Sequence, residues 1–169
     1  MKKICFATNN AHKLAEVQSI LGDRFEVQSL KDIGFEGELP ETHETLEENS
    51  LEKAEFLFNQ FKVPVFSDDS GLEVIALGGK PGVHTAHYAG DRNADKNMDK
   101  VLSELEGAND RSGQFRAVVT YIDASGVQQF EGIIKGQVAL EKIGKDGFGY
   151  DPIFIPEGYN QTFAELSAE

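Results

Sequence analysis

The chain has 169 residues, of which 40% are hydrophobic and 27% charged, with 17 glycines. That is about one domain in length, enough to bury a core, and compositionally remote from disordered, fibrous or disulfide-stapled chains. Its 29 acidic against 16 basic residues leave a formal charge of −13, which repels both a nucleic-acid backbone and an anionic membrane surface.

A small anionic ligand remains admissible, because local lysines, backbone N–H groups or a divalent cation reverse the field inside one site. The single cysteine, Cys5, excludes an intrachain disulfide, and Ile4 to Ala7 is too short for a signal sequence or a membrane span. The expectation is a buried thiol in a cytoplasmic protein.

Lys3 to Ala7 predicts a buried strand. The polar run Thr8-Asn9-Asn10 then precedes a helical apolar pattern at Leu14, Val17, Ile20 and Leu21. A second strand is predicted near Glu26 to Leu30, and Lys31 to Thr42 reads as loop. Leu46 to Phe61 predicts a helix with Leu51, Ala54, Phe58 and Phe61 on one face, stopped by Pro64. Val65 to Ser67 and Leu72 to Ile75 read as separate strands, with Asp68-Asp69-Ser70-Gly71 as a sharp bend between them.

The run Gly78-Gly79-Lys80-Pro81-Gly82 is a loop, and Ala94 to Leu105 predicts a third helix. Phe115 to Ile122 and Gln128 to Gly136 predict a hairpin turning at Ala124-Ser125-Gly126. Gly144 to Pro156 reads as a loop running into a short strand. No repeat or linker divides the chain, so a single domain over residues 1–169 is expected.

Three constellations could carry chemistry. Thr8, Asn9, Asn10, Ala11, His12 and Lys13 gather a hydroxyl, amides, free backbone N–H groups and an ammonium at a helix start, a corner that suits phosphate and is equally a plain N-cap. Glu41, then Glu44, Glu47 and Glu48, then Asp68 and Asp69 supply oxygen ligands of the kind a hard cation selects. For the helical glutamates a solvated face is the simpler reading. Asp68 and Asp69 read evenly between a cation site and a pair held by hydrogen-bond donors.

The third constellation, Gly147-Phe148-Gly149-Tyr150-Asp151-Pro152, sets two aromatic rings and a carboxylate on flexible backbone. Such rings stack on bases or simply cap a core. No P-loop, dinucleotide fingerprint or GxSxG elbow is present. His12, His43, His84 and His87 lack the HxxxH spacing of a helical metal site, so zinc is not expected.

The segments ATNNAHK, PETHETLEENSLEKA, SDDSGLEV, GGKPGVHTAHYAG, FEGIIKG and GFGYDPIFIPEGYNQTFAEL together resemble the non-canonical purine nucleoside triphosphate pyrophosphatases, the Ham1-like or inosine triphosphatase family. The resemblance covers nearly the whole chain. It implies an α/β fold with a long mixed sheet flanked by helices, two lobes with a central cleft, and a homodimer. It also implies magnesium-dependent hydrolysis of ITP, dITP and XTP to the monophosphate and pyrophosphate, which cleanses the nucleotide pool.

By the same resemblance Thr8 to Lys13 and Lys53 bind the triphosphate, Glu41 and Asp69 hold Mg2+, and Asp69 accepts a proton. Ser70 touches substrate. Phe148, Gly149, Tyr150 and Asp151 form the base-contacting segment, with Phe148 as the stacking ring. Family members continue past the FAEL motif into a Ser-His-Arg segment that this sequence lacks, and they carry tyrosine and arginine where His84 and His87 stand. The alternative expectation is therefore a catalytically impaired nucleotide-binding module.

Overall fold

The computed structural model describes residues 2–8, 11–90, 92–144 and 149–166. In chain order the elements are β1 (Lys2–Phe6), α1 (Ala11–Leu21), β2 (Phe25–Gln28), α2 (Leu46–Phe61), β3 (Val65–Val74), α3 (Ala94–Glu104), β4 (Ser112–Asp123), β5 (Gly126–Val138) and β6 (Phe154–Pro156). Short 3-10 turns lie at Gly22–Arg24, Ile75–Leu77, Gly82–His87 and Asp151–Ile153. The strands form one sheet in the order β2-β1-β3-β4-β5-β6, parallel where β1 meets β2 and β3 and antiparallel where β5 meets β6. The α/β class with a mixed sheet is as expected. No helix among the described residues is long and apolar enough to cross a membrane.

The chain divides into two compact units. One comprises Met1–Asp69 with Val118–Glu131, and the other Ser70–Ala117 with Gly132–Glu169. The first packs Cys5, Ala7, Leu30, Ala54, Leu57, Val65 and Ile122 into a core, with Phe35, Leu51, Phe58 and Phe61 against it. The second packs Leu72, Val74, Met98, Val101, Leu105, Val138, Tyr150, Ile153 and Phe154.

Helix α2 takes the span its apolar period predicts. Its start is fixed by Thr45, whose hydroxyl accepts from the Glu48 N–H at 3.1 Å and donates to the Glu48 carboxylate at 3.0 Å. Its end is fixed by Lys62, left-handed at φ 57, whose N–H reaches the Phe58 carbonyl. The loop before α2 is not free chain, because the Phe35 ring meets Phe56 and Phe61 edge-on at 5.5 and 6.3 Å.

Two predictions shift. The two strands around Asp68 to Gly71 are one continuous strand, β3, and the expected bend is absent. Asp, Ser and Gly favour a turn when their backbone groups lack partners. Here the Phe66 carbonyl accepts from Ala7 N–H at 2.8 Å in the first unit, and the Leu72 N–H donates to the Thr85 hydroxyl at 3.0 Å in the second.

What changes instead is phase: Val65 and Ser67 are buried at odd positions, Leu72 and Val74 at even ones. The buried face of β3 therefore changes between Ser67 and Leu72, with Gly71 also buried. A Cβ on Gly71 would lie 2.2 Å from the Gly82 carbonyl oxygen.

The β4–β5 hairpin is also longer than its alternating residues predict. The Arg111 guanidinium donates to the carbonyls of Val138, Ala139 and Leu105 at 2.9, 2.7 and 3.1 Å, which extends pairing beyond the apolar run. At the turn, the Asp123 carboxylate accepts from the N–H and hydroxyl of Ser125.

Because the group facing Gly71 is backbone, Gly71→Ala is expected to destabilise the chain by roughly 1–3 kcal/mol, the usual cost of overpacking. Urea denaturation measures this, and unchanged stability would show that the Gly82 carbonyl yields.

Candidate active site

Strand alternation decides what surrounds the two neighbouring aspartates. Side chains on β3 point alternately to opposite faces, so Asp69 shares the face of Val65 and Ser67, and Asp68 that of Phe66. On the Asp68 face the Phe6 and Phe66 rings stack at 4.4 Å, and Lys13 of α1 pairs with Asp68 at 3.2 Å. The pair is partly exposed, so its worth in stability is small, but it fixes the ammonium at the start of α1.

The Asp69 face meets α2. Asn49, Ser50 and Lys53 lie three and four residues apart and so share one face of that helix. The Ser50 hydroxyl bonds the Thr120 hydroxyl at 2.8 Å, and the Ser67 hydroxyl donates to the Ser50 carbonyl at 2.5 Å. Ser50, Ser67 and Thr120 are fully buried, so these bonds lock α2 to β3 and β4 in a fixed register.

Lys53, 7% exposed, occupies the centre. Its ammonium donates to Glu41 Oε1 at 3.0 Å and to the Asp68 carbonyl at 2.6 Å, and lies 4.0 Å from Asp69 Oδ1. One cation therefore touches both expected metal-binding carboxylates, Glu41 from the loop before α2 and Asp69 from β3.

Asp69 is unusual within this cluster. Its Oδ2 is buried with no hydrogen-bond partner among the described residues. Burial pushes its carboxyl up to about 6, Lys53 works against that, and the negative charges of Glu41 and Asp68 add to it. The nearby Asn49 amide also favours the ionised form. An orphaned, desolvated carboxylate oxygen beside a second carboxylate is what a hard divalent ion would satisfy, so the donor set fits magnesium.

Two residues that the sequence reading left out brace this arrangement. Asn49 exchanges hydrogen bonds with His43, accepting from its N–H at 2.9 Å and donating to its carbonyl at 3.2 Å. Glu52 accepts from the N–H and hydroxyl of Thr42 at 2.8 and 2.7 Å, and lies 3.3 Å from His43 Nδ1. Burial works to raise the Glu52 carboxyl, yet the bonds from Thr42 and His43 hold it below its ordinary range. Glu52 is thus part of the clamp on the loop that carries Glu41, not one more solvated helix glutamate.

The other expected residues are distributed as follows. Thr8 follows β1 and donates its N–H to the Phe6 carbonyl at 2.8 Å. Ala11 opens α1, and Ser70 is exposed on β3. Asn9, Asn10, the His12 side chain and Phe148 lie outside the described residues.

In the second unit, Gly149 is left-handed at φ 61 and Asp151 opens a 3-10 turn. The Tyr150 ring is buried and its hydroxyl donates to the Thr85 carbonyl at 2.7 Å, so its side chain belongs to the core.

A model of the Ham1 family matches residues 4–169. The chain belongs to the Ham1 family. It is 48% identical to the dITP/XTP pyrophosphatase of Porphyromonas gingivalis over all of this chain and 88% of the relative, and 43% identical to that of Bacillus subtilis with the same coverage. The Ham1 protein of Staphylococcus aureus superposes with a TM-score of 0.92 at 35% identity, over 99% of this chain and 88% of that one. A HAM1 protein from Coxiella burnetii gives 0.91 at 35% identity. The Ham1 fold is therefore the fold of this chain, and the clamp built by Glu41, Lys53 and Asp69 sits in a Ham1 framework.

The raised Asp69 carboxyl couples stability to pH. Between its ordinary value of 3.8 and about 6 the folded chain holds a proton that the unfolded chain has released, so this group's contribution to stability falls as pH rises through that window and is lowest above it. In chelator, Asp69→Asn is expected to be more stable than the native chain at pH 7 by roughly 1–3 kcal/mol, and the difference should vanish near pH 4. Urea unfolding at both pH values reads it; a difference independent of pH would show that Asp69 ionises normally.

Proposed function

We propose that this chain, acting over residues 1–169 as one pyrophosphatase domain, hydrolyses dITP, XTP and ITP to the monophosphate and pyrophosphate. The observation that carries the reading is the Lys53 ammonium shared by Glu41 and Asp69 beside the unpartnered Asp69 Oδ2. The names of the P. gingivalis and B. subtilis relatives support the substrate class.

A triphosphate carries about four negative charges, which an acidic site admits only with cations opposite. Glu41 and Asp69 would hold Mg2+, which supplies charge neutralisation at the phosphates when bound. Lys53 and Lys13 bring ammonium groups to the same end of the substrate, with Thr8 to Lys13 contacting the phosphates. Asp69 orients the attacking water and takes its proton. Attack on phosphorus needs alignment and charge stabilisation, not a covalent intermediate, so no serine nucleophile is required. Ser70 contacts substrate in this reading.

Phe148 stacks on the purine, Gly149 and Tyr150 shape the segment, and Asp151 accepts from ring N1–H. Hypoxanthine and xanthine present that N–H beside a 6-oxo group, whereas adenine would leave the acceptor unpaired. Such a mismatch can discriminate by roughly 10⁴-fold. The exposed apolar residues Val127, Phe130, Ile133 and Ile134 on β5 support a homodimer, and a cytoplasmic enzyme is in keeping with a nucleotide substrate.

Pyrophosphate release is expected from ITP, dITP and XTP in magnesium, with little from ATP and none in EDTA. Asp69→Asn should lower turnover at least about 10²-fold while leaving ITP binding measurable. ITP binding without cleavage by the native chain would instead identify an impaired binding module. Asp151→Asn is expected to narrow the preference for ITP over ATP, read as the ratio of their kcat/KM values.

A further inference from the structure

The four histidines lack the i, i+4 spacing that brings two imidazoles together on an α-helix, yet two of them meet. His84 and His87 lie on the 3-10 turn Gly82–His87, where three residues complete a turn and positions i and i+3 eclipse. His84 Nδ1 is 3.4 Å from His87 Nε2, with the rings 5.4 Å apart at 72°. Both side chains are exposed, so an ion would reach them without rearrangement of the core.

The separation is informative. Zinc–imidazole bonds of about 2.0–2.1 Å opened to a tetrahedral angle place two ligand nitrogens about 3.3–3.4 Å apart. We propose that His84 and His87 form a bidentate site for a borderline divalent transition-metal ion of the zinc type, distinct in chemistry from the carboxylate site. Imidazole nitrogen suits such ions, whereas magnesium selects the oxygens of Glu41 and Asp69.

The turn itself is braced, which keeps the bite from drifting. The Thr85 hydroxyl, between the two histidines, donates to the Gly82 carbonyl at 2.6 Å, and the Thr85 carbonyl accepts from Tyr150 at 2.7 Å. Just beyond it, Asn97 of α3 donates to the Ala86 carbonyl and accepts from the Ala89 N–H. In the metal-free pair one ring hands an N–H to the other; the ion replaces that shared proton and sits to one side of the line between the two nitrogens. Each neutral ring then keeps its proton on the opposite nitrogen, so no net proton need leave. With two protein ligands the site leaves positions for water or an anion, as an open site does.

The experiment uses the untagged chain in millimolar magnesium, so that oxygen sites are taken, and titrates Zn2+ against a chromophoric chelator. His43, which lies 3.3 Å from Glu52, provides the control. One equivalent is expected to bind, weakened at least tenfold by His84→Asn and by His87→Asn, and unchanged by His43→Asn. Ring NMR signals of His84 and His87 in the native chain should shift together on adding Zn2+, which decides the matter even if a variant folds poorly. Absence of binding, an equal loss in His43→Asn, or unshifted His84 and His87 signals would overturn the proposal. None of these results depends on nucleotide hydrolysis, so the proposed function stands or falls separately.

Discussion

A buried ammonium shared by two carboxylates organises the first unit of this protein. Glu41, Asp69 and the Asp68 carbonyl surround the Lys53 ammonium at 7% exposure and offset its burial, since an unpaired buried charge costs several kcal/mol. The same three contacts tie α2, the preceding loop and β3 to one point. Glu41 is held because the Lys53 ammonium needs it, and the loop carrying Glu41 is held in turn by Glu52 and Asn49. The cluster is incompletely satisfied at one atom, Asp69 Oδ2. An oxygen left buried without a partner among the described residues costs stability, and in the proposed function it is the atom that a cation would satisfy.

That cluster depends in turn on a register. The Ser50, Ser67 and Thr120 hydroxyls bond one another where apolar side chains would otherwise pack, and hydroxyl pairs specify which residues face each other more sharply than hydrophobic contact does. Ser67 is two residues from Asp69 and Ser50 three from Lys53, so a slip of α2 along β3 would break both sets of bonds together. Along β3 the buried positions pass from odd at Val65 and Ser67 to even at Leu72 and Val74, and a Cβ on Gly71 between them would meet the Gly82 carbonyl oxygen.

Much of the fold was legible in order along the chain. Helix α2 announced itself by a long apolar period and by Pro64, local features that leave no competing structure. The continuity of β3 was not legible, since Asp-Asp-Ser-Gly carries turn chemistry and the partners that overrule it, Ala7 and Thr85, come from other elements. Pairing of Lys53 with Glu41 across the loop was equally hidden. For Glu52, helix periodicity pointed to solvent, whereas its actual partners, Thr42 and His43, are placed by the fold of the preceding loop.

The histidines show the same division. His84 and His87 do not have the HxxxH spacing, yet the 3-10 turn that carries both brings them within 3.4 Å. Residue identities and their local periods were enough to establish an acidic α/β chain, the extent of its main helices and hairpin, and the motifs that mark the Ham1 family. The ion pairs, the orphaned oxygen, the phase change and the imidazole contact arose only on folding, because each depends on the backbone path and on partners that a local sequence period does not specify.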